Sequence, residues 1–126
     1  MSPSDKSKFI EPLQERPLRT EESLLIRPLL AGIYSKEALD NALNGSRVFD
    51  LQDGGMGSIR FARSKPRRFE RTLAKAEYLD VDGVLVSITV NQDDYGQLFE
   101  LDFWKVDFSP LQRYPAPVDV STIIPD

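Results

Sequence analysis

None of the 126 residues is histidine or cysteine. Without histidine there is no imidazole acid–base relay, no Ser-His pair and none of the commonest metal ligand. Without cysteine, disulfide scaffolds, thiolate nucleophiles, His/Cys zinc sites and iron–sulfur ligation are also excluded. Long apolar runs are lacking as well, so no segment reads as a membrane span. The stretch Met1–Lys8 carries positive charge with no apolar segment behind it and does not read as a secretory signal. These absences lead to the expectation of a cytoplasmic protein built on carboxylates, cations, hydroxyls and backbone groups.

The chain is 40% hydrophobic and 29% charged, a balance that supports one compact core and is too apolar for a disordered protein. Its net charge of −4 hides an asymmetry. Residues 1–79 hold 14 Lys and Arg against 11 Asp and Glu, whereas residues 80–126 hold 2 against 9. Opposite halves of this kind suit either an anionic partner or two copies that attract each other.

Three prolines and no sustained periodicity make residues 1–19 a flexible arm. Thr20 reads as a helix cap before Glu21 and Glu22, with Leu24, Leu25, Ile26, Leu29 and Leu30 at helical spacing. Pro28 predicts a kink there, or an end near Ile26. Ser35 caps a second helix over Lys36–Asn44, closed by Gly45 in the left-handed conformation. Beyond Ser46 the period becomes two, which predicts strands at Arg47–Leu51, Ser58–Arg63, Arg71–Leu79, Val84–Val90 and Gln97–Lys105. Asp82-Gly83 reads as a two-residue hairpin turn.

Val84, Val86, Ile88 and Val90 should face the core, as should Phe99, Leu101 and Phe103. After Phe103 the large apolar residues change phase to Trp104, Val106 and Phe108, which predicts a bulge at Phe103-Trp104 that returns them to the core. The expected fold is therefore α+β. One or two N-terminal helices precede a five-stranded, strongly bent antiparallel sheet forming an open barrel. Residues 20–108 make the single domain, and residues 109–126 form a proline-rich C-terminal arm that runs over the surface or pairs at an edge.

Three places could carry chemistry. Arg60, Arg63, Arg67, Arg68 and Arg71, with Phe61 and Phe69 between them, fit a surface that holds phosphates and stacks bases; they equally fit a solvated strand and loop. Asp80, Asp82, Glu100 and Asp102 could hold a hard cation, although turn chemistry and a wet sheet face explain them as well. Gly54-Gly55-Met56-Gly57 reads as a hairpin before it reads as an anion loop. Trp104 is weighed as a barrel-end core residue against a binding hot spot.

Three stretches carry a resemblance: Arg16-Pro-Leu-Arg-Thr-Glu-Glu22, Asp53-Gly-Gly-Met-Gly-Ser58 and Leu98-Phe-Glu-Leu-Asp-Phe-Trp-Lys-Val-Asp-Phe-Ser-Pro-Leu111. They resemble a set of small bacterial proteins described only as a domain of unknown function, across residues 16–114, and that family brings no site residues to carry over. The element order is also similar to the Sm-like barrel, a fold associated with RNA binding and with ring or dimer formation. The first functional expectation is a non-catalytic, self-associating protein-interaction module, a homodimer or the partner of another protein, with Trp104 as an interaction residue and with no cofactor or metal. An RNA-binding barrel using the five arginines is the alternative. A metal-dependent hydrolase using the four acids is a third.

Overall fold

The computed structural model describes residues 14–123. Helix α1, Thr20–Leu30, follows a two-residue strand β1, Arg16–Pro17, and helix α2, Lys36–Leu43, follows α1. Strands β2 (Arg47–Asp50), β3 (Ile59–Phe61), β4 (Phe69–Leu79), β5 (Leu85–Asp93), β6 (Leu98–Lys105) and β7 (Val120–Ile123) complete the chain. All pairings are antiparallel, in the order β1-β2-β3-β6-β5-β4-β7. The α+β class is as expected. Among the described residues seven strands replace the expected five, and β1 and β7 remain as edges. The sheet is open, so the Sm-like barrel gives way to a two-layer arrangement.

Arg19, not Thr20, is the N-cap of α1, and its backbone N–H donates to Glu22 Oε1 at 2.8 Å. Pro28 sits inside the helix without ending it. A mid-helix proline costs about 3 kcal/mol. Leu29 and Leu30 are both buried beyond it, and each apolar side chain of that size gains about 1.5–3 kcal/mol on full burial, enough to carry the helix through. In α2 the Ser35 hydroxyl accepts from the Ala38 N–H at 3.1 Å, and Gly45 adopts φ +78°, both as expected.

One face of the sheet meets the helices. Val48, Ile59, Phe61, Ala76, Tyr78, Val86, Ile88, Val90, Leu101 and Phe103 join Leu25, Ile26, Leu29, Leu30, Leu39 and Leu43 in a single core. The alternation that placed Val86, Ile88, Val90, Leu101 and Phe103 inward therefore holds, whereas Val84 precedes β5 and is only half-buried, and Phe99, though buried, sits at a register irregularity and is not part of this core. The β4–β5 turn is longer than two residues: the Asp80 N–H donates to the Val84 carbonyl at 3.0 Å, and Gly83 N–H to the Asp80 carbonyl at 2.8 Å, with Gly83 at φ +82°. This is a turn closed by one left-handed residue, a common three-residue hairpin.

The edges are built from segments that carry no period. Arg16 and Pro17 pair with Val48 and Arg47, so the sheet reaches back before Thr20 into the expected arm; residues 1–13 lie outside the described residues. At the other edge, Val120–Ile123 pairs with Lys75–Tyr78 of the same chain. Between them the segment after β6 packs Leu111 and Tyr114 against the core, with the Tyr114 ring 5.4 Å from Phe103. Ile124 and Pro125 of the expected arm lie outside the described residues.

Candidate interaction surface

At the end of β6 the polarity of the sheet inverts. Strand β6 pairs with β5 without interruption from Val90↔Leu101 to Val86↔Lys105, so Phe103 stays inward, Trp104 turns outward and Lys105 turns inward. The expected bulge at Phe103-Trp104 is absent. Irregularities lie instead between Asn91 and Gln92 of β5 and at two places in the first part of β4. The sequence's phase change is real, but a buried lysine absorbs it rather than a bulge.

Lys105 is 0% exposed. Its Nζ donates to Asp80 Oδ2 at 2.9 Å, Asp82 Oδ2 at 2.6 Å and the Pro110 carbonyl at 3.0 Å. All three ammonium hydrogens thus have acceptors, which is what makes a buried lysine tolerable. Burial alone would lower the Lys105 ammonium, but the carboxylates of Asp82 and Asp80 hold it above its usual range. Burial would likewise raise the Asp80 carboxyl, yet the Gln112 N–H, the Lys105 ammonium and the Val81 N–H hold it below. The Arg113 N–H also donates to Asp80 at 3.2 Å, and the Tyr78 hydroxyl donates to the Arg113 carbonyl at 2.9 Å. The cluster is a latch that ties the C-terminal segment to the β4–β5 hairpin.

The displaced apolar side chains lie outside. Register places Leu79 beside Leu85, and the Val106 N–H donates to the Leu85 carbonyl at 3.0 Å, which gives one outer row, Leu79, Leu85, Val106. The next row is Glu77, Ser87, Trp104, and the next is Lys75, Thr89, Asp102. Trp104 is 49% exposed, Leu79 63% and Phe108 62%, with Val106 and Leu85 also open. The described helices pack on the other face, so none of them covers this strip. Phe108 meets Trp104 edge-on, 5.0 Å between ring centres, and does so at φ +65°. A bulky residue in the left-handed region costs of order 1–3 kcal/mol and persists only where its surroundings fix it. Here the Phe108 N–H donates to the Lys105 carbonyl at 2.8 Å, while Asp107 accepts from the Ser109 N–H and hydroxyl.

The five predicted arginines do not act as one set. Arg60, Arg63 and Arg67 gather around two rings: Arg60 and Arg67 lie 4.8 and 4.9 Å from the Phe99 centre, and Arg63 5.8 Å from Phe61. Each is already engaged, Arg60 by Glu100, Arg63 by Gln97 and the Leu98 carbonyl, Arg67 by Asp93 and the Phe61 carbonyl. Burial pushes the Arg67 guanidinium below its ordinary value; Asp93 opposes this, and Arg63 and Arg60 reinforce it. Arg68 and Arg71 pair instead with Asp94 and Gln92. An open groove of about 430 Å³ lies beside Arg63, Lys65, Arg67 and Tyr95.

The four predicted acids do not converge either. Asp80 and Asp82 surround Lys105, Glu100 faces Arg60, and Asp102 lies 3.2 Å from the Ser58 hydroxyl. Among the described residues no group of three or more acids is placed to hold a metal ion. The glycine loop meets a similar end: Asp53 supplies its own anion, accepting from the Met56 and Ser58 N–H groups at 3.0 and 3.1 Å. Sequence reasoning missed a further knot, in which Arg16 donates to both Glu22 and Asp50 and so joins β1, α1 and β2. Hydrogen bonds to Asp50 and Glu22 hold Arg16 above its ordinary value, and the bond from Arg16 holds Asp50 below its own.

Among the described residues no helix is long and apolar enough to cross a membrane. No curated protein and no solved structure matches the chain. Residues 15–115, which run from the Arg16 knot through the Lys105 latch to Pro115, match the model of the family described as Domain of unknown function (DUF6984), and the chain belongs to that family.

Proposed function

We propose that the protein is a non-catalytic interaction module that self-associates through the outer face of its sheet. The observation that carries this reading is the uncovered strip of Leu79, Leu85, Trp104, Val106 and Phe108. A soluble sheet face is normally polar, and contiguous exposed apolar surface marks contact sites. Aromatic side chains at such sites concentrate the binding energy. The geometry of Phe108 supports the same reading, because a strained backbone holds its ring against Trp104 in the open.

Sedimentation equilibrium of the full chain tests the proposal. A two-chain species is expected, and Trp104→Ala should raise its dissociation constant by about 30-fold while the circular dichroism spectrum stays unchanged. A wild-type chain that remains monomeric up to about 1 mM overturns it.

A further inference from the structure

We infer that the second copy lies face to face on the sheet about a two-fold axis parallel to β5, so that Lys75 of each copy pairs with Asp102 of the other. This rests on the self-association reading and deepens it. Lys75 of β4 and Asp102 of β6 both register against Thr89 of β5, and so lie in one row on the outer face with β5 between them. Each stands one strand spacing, about 4.8 Å, to either side of β5. Among the described residues neither has an ion-pair partner.

A two-fold axis along β5 exchanges left and right and keeps each row level. Lys75 then faces Asp102 of the second copy, and Asp102 faces its Lys75. In the same operation Leu79 faces Val106, Leu85 faces Leu85, and Trp104 covers the aliphatic stem of Glu77. The other simple two-fold runs across the strands, and about the Ser87 row it would set Leu79 on Lys75 and Val106 on Asp102. That arrangement desolvates two charges of each copy against aliphatic carbon. Of these two arrangements the axis along β5 is the self-complementary one, and it alone pairs the Lys75 and Asp102 charges.

The distances agree with this choice. Sheets stacked face to face sit about 10 Å apart with their strands roughly aligned, a gap that a lysine and an aspartate reaching toward each other can span. Asp102 is moreover a carboxylate short of a cation: burial raises its carboxyl, the Glu100 charge raises it further, and only the Ser58 hydroxyl opposes them to any extent. An ammonium brought by a second copy supplies what the described residues of one chain lack.

The test uses two charge reversals, Lys75→Asp and Asp102→Lys, each studied alone and in an equimolar mixture by sedimentation equilibrium. Alone, each variant confronts like charges at both contacts, and its dimer should weaken at least about tenfold. Mixed, the two restore one native and one reversed pair, and a two-chain species should return to within about threefold of wild type. Circular dichroism melting verifies that both variants fold. If Asp102→Lys does not fold, a double-mutant cycle of Lys75→Met and Asp102→Asn on the dimer replaces it, with coupling between the two positions as the expected result and additivity as the overturning one. A wild-type dimer sensitive to Trp104→Ala, combined with a mixture that stays monomeric, overturns the axis and leaves the self-association reading standing. A wild-type dimer indifferent to Trp104→Ala overturns both, as does a wild-type chain that never associates.

Discussion

The two ends of β6 obey opposite rules. At the Leu98 end the charges are outside: Arg60 meets Glu100 on the wet face, and Leu98 and Phe99 are buried. At the Lys105 end a charge is inside and the aromatics are outside. The first arrangement is the one expected of a half-solvated sheet. The second requires a lysine to be desolvated, two acids and a carbonyl to be placed around it, and a tryptophan to be left in water. Nothing in the packing of the inner face demands this, since an aliphatic residue at position 105 would fill the same core position. What the inversion provides is an apolar strip on the outer face together with a charged clasp on the C-terminal segment.

The sharpest contrast between the ends should appear in stability. Lys105→Met leaves Asp80 buried without its cation, and removing one member of a buried pair is far more damaging than never having had the pair. The melting temperature should fall by roughly 10 °C or more, whereas Arg60→Met at the opposite end should lower it by no more than about 3 °C. Equal losses at the two sites, read by thermal denaturation, would erase the distinction.

Acidification should act on the same end. Because the Asp80 carboxyl titrates below its usual value in the folded chain, the unfolded chain takes up a proton first; the stabilisation is present above about pH 4 and disappears as the pH falls through the folded value. Urea unfolding between pH 7 and 3 should show a loss that Asp80→Asn reduces, the remainder coming from Asp50 and the other carboxylates held low by their partners. Asp102 works in the reverse sense, since a raised folded value means its contribution is present in acid and lost as the pH rises.

Phe108→Gly should separate shape from association. Glycine adopts φ +65° without strain, so stability should hold or rise by up to about 1 kcal/mol, while loss of the edge-on contact with Trp104 should weaken the dimer by about tenfold. The smallest effect belongs to the conventional end: a double-mutant cycle on Arg60 and Glu100 should return about 0.2–1 kcal/mol of coupling and leave sedimentation unchanged.

Much of this architecture was legible in residue order. Period-two alternation located β2 to β6 within a few residues, and the Ser35 cap with Gly45 located α2, because burial on one face and backbone capping are local properties. Strand β1 was not legible and β7 only as an edge pairing of the C-terminal arm: two and four residues beside prolines show no period, and they exist only because a neighbour offers an edge. The latch was misread for a definite reason. Alternation assigns charged residues to the wet side, so Trp104, Val106 and Phe108 seemed to call for a bulge, while the actual solution buried the lysine between them. A signal was available. Lys105 and Arg113 are the only cations after residue 79, and Asp80-x-Asp82 stands at the turn next to the strand that must pair with β6. A lone cation in so acidic a stretch is the natural partner of that pair of carboxylates.

The strand order has a bearing on how the chain is made. Strand β6 is inserted between β3 and β5, so it joins the early strands to the later hairpin and is synthesised after both of its neighbours. Until residues 98–105 emerge, β3 on one side and β5 on the other each present a row of unmatched backbone groups to the surrounding medium. Nascent chains arrested anywhere before Lys105 should therefore be open to proteases and to edge-seeking chaperones, and protection should set in only once residues 98–105 have emerged and paired on both sides.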